Sequence, residues 1–598
     1  MLSKRSIAFA FACLVAGPHA AAQDISLSTP NASDDLAARL RTASLLLAPT
    51  AEPRTAQDLI AAARADYARL VAALYDAGHF APVVRITVDG REAASLPPFG
   101  GPTSVAQITI SVDPGPLFHL GTAEVGPLAS GTGLPGEFRP GGDASTSLLR
   151  DTARAAVGGW RDVGHATAEV TDQQIIARNA EATLDVSLRI EPGPPVQFGL
   201  LLPEGHDRMR PERILAIAGL PAGARFSPET LERVEGRLQA TGVFSAIALQ
   251  EGAVGPDGTM DITATLVESE PRRFGFGAEL ATDSGLGLNA YWLHRNLFGG
   301  AERLRIEGTI SGIGTGDLSE NATDGIDASV GLRYSRPATF TPDTTAYTFL
   351  GAEYIDDPAY RLSTVGAELG VEHHFNRRLT GALGLGLSYY DVDDEFGDRQ
   401  LTLLTLPVGL TWDRREDPLD ARRLFYIQGT ATPFLSDQGS GGARAFVDAR
   451  AYLGFGEERA TRFAVRAQAG SVFGGDVTDI PPDFLFYSGG AGTVRGHDFQ
   501  SLGAVQNGID AGGRSFLGLS GEYRQDIGTT NFGLVAFADA GYVGADATGG
   551  TGDWHAGAGL GVRYDTPFGP IRVDLATPVR GDGVGEALHL YIGIGQSF

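Results

Sequence analysis

Cysteine and lysine, which carry much of the covalent chemistry of enzymes, each occur once in the 598 residues, as Cys13 and Lys4. Both lie in a segment that reads as an export signal, so we expect the mature chain to contain neither. A chain without them has no thiolate nucleophile or thiolate metal site, no disulfide, no lysine Schiff base and no phosphate-binding loop of the G-K-[ST] type. Much of enzyme chemistry is therefore excluded.

Histidines and acidic residues are the other candidates for chemistry. The acidic segment DVDDEFGD at 391–398 faintly resembles a calcium loop, but a solvated loop between strands is the simpler interpretation. His373 and His374 are adjacent, and adjacent side chains of a strand point to opposite faces, so they are not expected to bind one metal ion. A hydrolase would need a serine or aspartate nucleophile beside a histidine, and no such pair stands out. We predict no enzymatic activity, no metal site and no cofactor.

Charge and glycine content limit the partners and divide the chain. The formal charge of −25 becomes −27 once Lys4 and Arg5 leave with the signal. A chain this acidic repels the phosphates of nucleic acids, so no nucleic-acid partner is expected. Of the 81 glycines, 26 lie in the first 271 residues and 55 in the remaining 327. The chain therefore has two compositional regimes.

The first residues have the parts of an export signal. A basic pair precedes an apolar run over 7–16, and the helix-breaking Gly17-Pro18 is followed by small residues up to Ala22. We predict a signal peptide at 1–22. No later stretch has the roughly 18 consecutive apolar residues that a transmembrane helix needs. An exported chain of this kind is either soluble outside the inner membrane or a membrane β-barrel.

Residues 24–271 contain a threefold repeat. Strand-like segments end at Pro116, Pro194 and Pro271, so the repeats are 78 and 77 residues long. Matching order and spacing in three copies argue against a chance recurrence of Gly-Pro turns. The predicted units are 24–116, 117–194 and 195–271.

A helix that runs into a glycine precedes two strands in each unit. Gly78, Gly164 and Gly242 fit the position after a helix where a positive φ is needed. In the third unit Ser227 is suited to cap a helix that starts with Pro228. Each unit is therefore predicted as β-α-α-β-β, an arrangement that leaves a sheet edge able to pair with an extended chain.

Residues 272–598 alternate between apolar and polar positions, as strands between lipid and a polar interior do. At about 20 residues per strand and turn, the region supplies about 16 strands. A soluble β-sandwich is the alternative, but it would need neither so many strands nor an aromatic carboxyl terminus. The predicted fold class is N-terminal α+β units followed by an all-β transmembrane barrel of about 16 antiparallel strands. The last strand shows the alternation best, with Leu588, Leu590, Ile592, Ile594 and Phe598 on one face and His589, Tyr591, Gly593, Gly595 and Ser597 on the other.

Six motifs follow one another in this second region. They are HRNLFGGAERLRI (294–306), WDRREDPLDARR (412–423), FYSGGAGTVRGHDFQSLG (486–503), GGRSFLGLSGEYR (512–524), FADAGYV (537–543) and GAGLGVRYDTPFGPIRVDLATPV (557–579). In this order, after three such units, they resemble the BamA/TamA outer-membrane assembly superfamily, in which POTRA domains precede a barrel. The resemblance covers almost the whole barrel region.

The resemblance implies a function and partners. Three POTRA-like units rather than five, together with GPIRVDLATPV, are similar to TamA-like members, the outer-membrane subunit of the translocation and assembly module. It implies a TamB-like partner anchored in the inner membrane, unfolded outer-membrane proteins such as autotransporters as clients, and contact with outer-membrane lipid. It also implies the outer membrane of a Gram-negative bacterium, with the POTRA units in the periplasm. A BamA-like general assembly role, two-partner secretion and phospholipid transport stay open as alternatives.

A loop motif carries the residues that the resemblance singles out. Val494, Arg495, Gly496 and His497 match a family loop whose arginine folds back into the barrel lumen. The family usually has an aromatic residue at the fourth position, where this chain has His497. An unpaired guanidinium in a confined lumen is costly, so Arg495 needs acidic partners.

Two later strands supply those partners by resemblance. Phe537, Asp539 and Gly541 fall on one face of their strand, and Glu522 lies on the charged face of another. The resemblance implies that Glu522 and Asp539 receive Arg495, whose planar fork suits carboxylates. Alternatively these are ordinary charges of a polar lumen.

The mechanism is predicted at the seam between the first strand, which contains Phe274, and the last strand, which ends at Phe598. Closure there must be weak enough to open toward lipid, so that a client strand pairs with the exposed edge. Gly593 and Gly595 either let the last strand bend inward or simply fill a crowded interior. No ATP or redox source is implied, so the free energy comes from client folding and burial in lipid.

Overall fold

The computed structural model describes a strand-rich chain with N-terminal α/β segments and a large antiparallel sheet. The predicted signal peptide, Gly595 and Phe598 lie outside the described residues. Within the described part, no helix is both long and apolar enough to cross a membrane. The chain divides into two compact units, one mainly up to Gly199 and one mainly from Leu200 onward. The described residues are 24–49, 54–97, 102, 104–281, 285–314, 325–357, 359–456, 460–528, 530–566, 569–585 and 587–594.

Three small sheets precede the large one, with strand orders β1-β4-β2-β3, β5-β7-β6 and β8-β10-β9. Their strands are β1 (Asp24–Ser28), β2 (Val83–Val88), β3 (Arg91–Glu92), β4 (Gln107–Asp113), β5 (His119–Gly126), β6 (Glu169–Arg178), β7 (Thr183–Glu191), β8 (Gln197–Glu204), β9 (Phe244–Val254) and β10 (Thr259–Glu268). The helices that accompany them are α1 (Asp34–Ala43), α2 (Ala56–Asp76), α3 (Thr146–Asp162), α4 (Pro211–Ala218) and α5 (Pro228–Ala240).

The helix count of the second repeat differs from the prediction. The first and third sheets each have two helices between their first two strands in chain order, but only α3 lies between β5 and β6. The prediction of two helices in every unit is therefore wrong for the second. The physical reason lies in the segment 127–145, whose three prolines and five glycines disfavour a helix.

The predicted helix ends agree with the backbone. Gly78, Gly164 and Gly242 have φ of +90°, +94° and +65°, the left-handed region in which glycine avoids a steric cost. The α5 helix begins at Pro228, and the hydroxyl oxygen of Ser227 accepts a hydrogen bond from the amide of Thr230 at 3.2 Å. These local signals fix where the helices stop and start.

The large sheet is antiparallel throughout, and its strands pair in chain order except at β18 and β19 and where β22 pairs with β25. Both β18 and β19 lie between β17 and β20, because Pro407 interrupts one strand position where it has no amide to donate. The strands are β11 (Arg272–Ala281), β12 (Gly285–His294), β13 (Arg303–Ile313), β14 (Asp327–Arg336), β15 (Thr344–Asp357), β16 (Tyr360–Asn376), β17 (Leu379–Asp394), β18 (Arg399–Thr405), β19 (Val408–Asp413), β20 (Leu424–Ser436), β21 (Gly441–Phe455), β22 (Thr461–Gly474), β25 (Ser515–Asp526), β26 (Phe532–Asp546), β27 (Gly549–Tyr564), β28 (Ile571–Arg580) and β29 (His589–Ile594). A hairpin of β23 (Ala504–Gln506) and β24 (Ile509–Ala511) stands apart in the loop after β22.

The last strand of the large sheet, β29, pairs with the first strand, β11, and in the described residues this pairing is the shortest in the sheet. Strand β29 pairs with β11 only at Leu280↔Ile592 and Ala281↔Tyr591 in the described residues. By contrast, β11 and β12 pair from Arg272↔His294 to Ala281↔Gly285 without a break. In the described residues, the junction of first and last strand is therefore held by fewer backbone pairs than the junctions beside it.

The two faces of the large sheet differ as the alternation predicts. In β17 the side chains of Leu383, Leu385 and Leu387 are exposed, while Gly384 and Gly386 between them are buried. Buried charged residues lie on the face that the sheet encloses. We call these the outer and inner faces.

Candidate functional site

The loop between β22 and β25 folds back onto the inner face of the large sheet. It contains two short 3-10 turns, Val477–Asp479 and Pro482–Phe484, and the β23–β24 hairpin. Backbone bridges join Phe486 to Gly513 and Ser488 to Leu502. These bridges close the base of the loop and position its tip, the segment 494–497.

The tip places Arg495 against Asp539 of β26. The guanidinium donates from Nε to Oδ2 at 2.7 Å and from Nη2 to Oδ1 at 3.0 Å, and the backbone amide of Arg495 donates to Oδ2 at 3.2 Å. Both side chains are almost fully buried. This bidentate fork is the strongest geometry that an arginine and a carboxylate adopt.

Two further carboxylates complete the site. Nη1 of Arg495 donates to Oε1 of Glu522 at 2.6 Å and lies 3.4 Å from Oδ2 of Asp574 on β28. Arg524 donates to Glu522 at 2.8 Å, and Arg563 donates to Asp574 at 3.1 Å. Three guanidiniums thus face three carboxylates, so the buried cluster is charge-balanced.

Aromatic packing covers the open side of the arginine. The ring of Phe537 lies 3.6 Å from the guanidinium carbon of Arg495, a cation–π contact. Phe537 itself packs with Val535, Ala576 and Tyr591. The charge cluster therefore rests on a small apolar core that reaches the last strand.

Glycines provide the space for the loop tip. A Cβ on Gly557 would lie 1.9 Å from the carbonyl oxygen of Arg495, and one on Gly541 would lie 2.4 Å from the hydroxyl of Ser488. Gly496 adopts φ +97°, which favours glycine. Close approach of the loop backbone to β26 and β27 thus depends on the absence of side chains.

His497 occupies the position where the resemblance implies an aromatic ring. Its ring lies 4.4 Å from that of His555 on β27, and its Nε2 donates to the carbonyl oxygen of Ala556 at 3.0 Å. The imidazole keeps a ring contact and adds a polar bond. Val494, at the start of the motif, is fully buried.

The last strand contacts the loop directly. The amide of Gly496 donates to the hydroxyl of Tyr591 at 3.1 Å, and Tyr591 is buried. Phe274 on β11 is exposed on the outer face, and Gly593 on β29 is buried on the inner face. The loop site and the junction of the two terminal strands are therefore connected through Tyr591.

Several residues of this site were missed from the sequence. The alternation in the sequence places Asp574 and Arg563 on the polar faces of their strands. It does not show which polar residues of different strands contact each other. Ser488 and His555 form a hydrogen bond at 2.7 Å, although no serine–histidine pair stood out in the sequence. Both are fully buried beneath the loop, so the bond holds the loop to β27.

The other polar candidates lie apart from this site. His373 contacts the hydroxyl of Thr344, while His374 contacts that of Thr380, so the two histidines engage different strands. Within the described ranges, no cluster of three or more histidine, cysteine, aspartate or glutamate residues is arranged to hold a metal ion.

Near the other end of the strands, the α5 helix contacts a turn of the large sheet. Arg237 donates to both carboxylate oxygens of Asp343, which precedes β15, each at 2.7 Å. These hydrogen bonds, which outweigh the opposing effect of burial, lower the pKa of Asp343. Arg213 on α4 donates to the carbonyl oxygen of Pro337 in the same turn.

The sequence is similar to one protein-family model and to known membrane proteins. The model of the Omp85 superfamily domain matches residues 296–598. The chain is 23% identical over 400 residues to the outer envelope protein 80, chloroplastic, of Arabidopsis thaliana, covering 61% of this chain and 52% of that one. It is 21% identical over 464 residues to the outer membrane protein assembly factor BamA of Nitratidesulfovibrio vulgaris, covering 73% and 56%. The chain thus spans just over half the length of these curated relatives.

Solved structures share the fold. The crystal structure of BamA from Haemophilus ducreyi lacking POTRA domains 1-3 matches with a TM-score of 0.60 and 17% identity, over 79% of this chain and 99% of that chain. CdiB from Acinetobacter baumannii matches with a TM-score of 0.51 and 13% identity, over 80% and 90%. Because the superfamily model covers just over half of the sequence, the chain belongs to the Omp85 superfamily.

Proposed function

We propose that this protein assembles other proteins into the outer membrane of a Gram-negative bacterium. In this proposal the three N-terminal units are periplasmic POTRA domains, and the large sheet is a 16-strand transmembrane barrel with its apolar outer face in lipid. Leucines such as Leu383, Leu385 and Leu387, exposed on the outer face, support the membrane assignment, since solvent would penalise them and lipid would not. The resemblance to BamA supports the assembly role.

One observation carries the mechanism, namely that β29 and β11 are joined by two residue pairs in the part of the chain that the structure describes. Opening this seam breaks few backbone hydrogen bonds among the described residues, and it exposes two strand edges to the bilayer. Exposed backbone groups in lipid are costly, so an incoming client strand is stabilised by pairing with them. The client then supplies the driving free energy by folding and burying apolar surface, and no covalent step or cofactor is involved.

Within this role we favour a TamA-like protein, the outer-membrane subunit of the translocation and assembly module, acting on autotransporters and related barrels. The GPIRVDLATPV motif at 569–579, which is similar to that of TamA-like members, supports this choice. The proposal includes an inner-membrane-anchored TamB-like partner that contacts the POTRA units. A photo-crosslinking residue placed in the first unit of the full chain, in cells, is expected to capture that partner. Capture of assembly lipoproteins instead would favour a BamA-like role, and capture of phospholipid would favour lipid transport.

A disulfide lock tests the seam. The sequence has one cysteine, Cys13, which lies in the predicted signal peptide, so Leu280→Cys with Ile592→Cys introduces one new pair at positions that are already opposite each other in the sheet. Reconstituted in liposomes, the oxidised variant is expected to lose assembly of an autotransporter barrel client and to regain it on reduction.

A second lock controls for the oxidation itself. Val330→Cys with Ala352→Cys joins β14 to β15 at a paired position of the same sheet, far along the strand order from the seam. This variant should assemble clients equally well when oxidised and reduced. Normal assembly by the oxidised seam variant would reject the proposed mechanism.

A further inference from the structure

An ion pair crosses the seam on the inner face. Nη2 of Arg572, on β28, donates to Oε1 of Glu279, on β11, at 2.7 Å. The pair therefore joins the first strand to the penultimate strand and passes over β29, which lies between them. It adds a side-chain contact to the backbone pairs described between β29 and β11.

The register places both partners in one row with a glycine. Arg572 is directly opposite Gly593 in the β28–β29 pairing. Continuing the β29–β11 register by one residue beyond Leu280↔Ile592 puts Gly593 opposite Glu279. A Cβ on Gly593 would lie 3.0 Å from Nε of Arg572 and 3.2 Å from Oε1 of Glu279. The ion pair thus lies close over the backbone of β29 because that position has no side chain.

We infer that the ion pair of Arg572 and Glu279, which we call the latch, sets how readily the seam opens. Gly593 leaves the space over β29 in which the two side chains meet, and we call this space the slot. The inference rests on the proposed function and names the residues that control its opening step. Arg572 is nearly buried and Glu279 is half exposed, so the pair retains part of its strength against solvent screening. Opening the seam must separate these two charges as well as the backbone pairs between β29 and β11.

A matched ion pair elsewhere in the sheet provides the control. Arg333 on β14 donates to Glu372 on β16 at 2.5 Å, and it likewise passes over an intervening strand. There the strands are joined by long unbroken registers, from Thr344↔His373 to Asp357↔Tyr360 between β15 and β16. Removing this second pair should leave the seam unchanged.

Amide hydrogen exchange on the full-length protein in lipid nanodiscs measures opening without any client. We expect Glu279→Gln and Arg572→Gln to speed exchange in peptides containing Leu280 and Ile592 by about fivefold, the effect of losing an ion pair of up to about 1 kcal/mol. Glu372→Gln should not change exchange in these peptides. Unchanged seam exchange in Glu279→Gln, or an equal rise in Glu372→Gln, overturns the latch.

Two further variants separate the latch from general damage. The charge swap Glu279→Arg with Arg572→Glu should return seam exchange toward the wild-type rate, whereas either change alone should raise it. Gly593→Ala keeps both charges but places a Cβ 3.0 Å from Nε of Arg572 and 3.2 Å from Oε1 of Glu279, so the two side chains must shift and we expect a smaller rise than in Glu279→Gln. A swap that exchanges as fast as the single changes, or a Gly593→Ala variant that exchanges as slowly as the wild type, contradicts the latch.

Failure of the latch and failure of the proposed function give different results. If the seam lock blocks client assembly but Glu279→Gln leaves exchange unchanged, the assembly mechanism stands and the latch does not. If Glu279→Gln speeds exchange but locked protein still assembles clients, the latch stands and the seam mechanism proposed for assembly does not.

Discussion

The amide of Gly496 donates a hydrogen bond to the hydroxyl of Tyr591 at 3.1 Å, which fastens the tip of the long loop to the last strand of the large sheet. The same loop tip pairs Arg495 with carboxylates of three other strands, β25, β26 and β28. One loop therefore braces the inner face up to the seam, and it holds the last strand together with the backbone pairs that this strand makes with β28 and β11.

Tyr591→Phe removes the hydroxyl but keeps the ring in its apolar cluster. The amide of Gly496 then loses its buried acceptor, which costs about 1–3 kcal/mol. We expect faster hydrogen exchange in the 494–497 segment and in β29. Tyr523→Phe is the control, since its hydroxyl bonds Gln525 away from the loop. Equal exchange in Tyr591→Phe and wild type would show that the bond does not brace the strand.

Arg495→Gln should weaken the contact between the loop tip and the inner face of the sheet. It leaves the buried cluster with two guanidiniums for three carboxylates, and breaking such a network by removing one partner costs about 3–5 kcal/mol. Arg495→Lys should fare little better, because an ammonium makes neither the bidentate fork nor the stack on Phe537. Proteinase digestion of the intact protein in liposomes should cut the 475–514 loop faster in both variants.

A double change tests whether the charge balance is the cause. Asp539→Asn alone should also accelerate cleavage of the loop. Arg495→Gln combined with Asp539→Asn restores balance, so we expect the double variant to lose less than the sum of the single losses. Strictly additive losses would assign the effect to packing rather than to the ion pair.

Which features of this site could be predicted from the sequence depends on how far apart the contacting residues lie in the chain. Alternation assigned Asp574 and Glu522 to polar faces, and a motif singled out Arg495. Alternation leaves open which inner-face residues of non-adjacent strands meet, because that depends on strand stagger and on the closure of the sheet. The Arg572–Glu279 pair, 293 residues apart in sequence, could not be read for this reason.

Predictions made from the residues of the segment itself were more reliable than predictions transferred from a neighbouring repeat. The positive φ at Gly78, Gly164 and Gly242 followed from single residues and their helices. The extra helix predicted for the second repeat came from analogy with its neighbours, although the prolines and glycines of 127–145 argued against it. In this segment, the backbone preferences of proline and glycine decided the structure, and the similarity between repeats did not.

His497→Phe tests the one departure from the family motif. Phenylalanine keeps a ring beside His555 but loses the hydrogen bond to the carbonyl of Ala556, so we expect a loss of about 1 kcal/mol in loop seating. His497→Ala also loses the ring contact and leaves a cavity, so its loss should be about 2–3 kcal/mol. Proteolysis of the loop should rank the variants as wild type, Phe, then Ala, and an inverted ranking would contradict the described seat.

Gly557→Ala should displace the loop tip without removing any polar group. Its Cβ would lie 1.9 Å from the backbone carbonyl oxygen of Arg495, so the loop backbone must move. Gly521→Ala on β25 is the matched control, because no heavy atom lies within 4 Å of its added Cβ. Exchange in the 494–497 segment should rise in Gly557→Ala only. A rise of the same size in Gly521→Ala would point to weakened strands instead.

Acidification should loosen the contact between the α5 helix and the turn before β15. The pKa of Asp343 is lowered by its hydrogen bonds with Arg237, and the charge of nearby His373 acts in the same direction. A carboxyl with a lowered pKa stabilises the contact fully above its unfolded value near pH 4, and that stabilisation is lost as the pH falls through the lowered pKa. Exchange in α5, corrected for the intrinsic pH dependence of exchange, should therefore be flat from pH 7 to about pH 4 and rise below it.

Asp343→Asn separates this carboxyl from other acidic groups. Asparagine does not titrate and lacks the charge that Arg237 contacts, so exchange in α5 should already be raised at pH 7 and should change little on acidification. Its matched control is Asp257→Asn, at a turn carboxyl that bonds Thr259 rather than an arginine. If the acid-induced rise persists unchanged in Asp343→Asn, another group is responsible and the Arg237–Asp343 pair does not hold this contact.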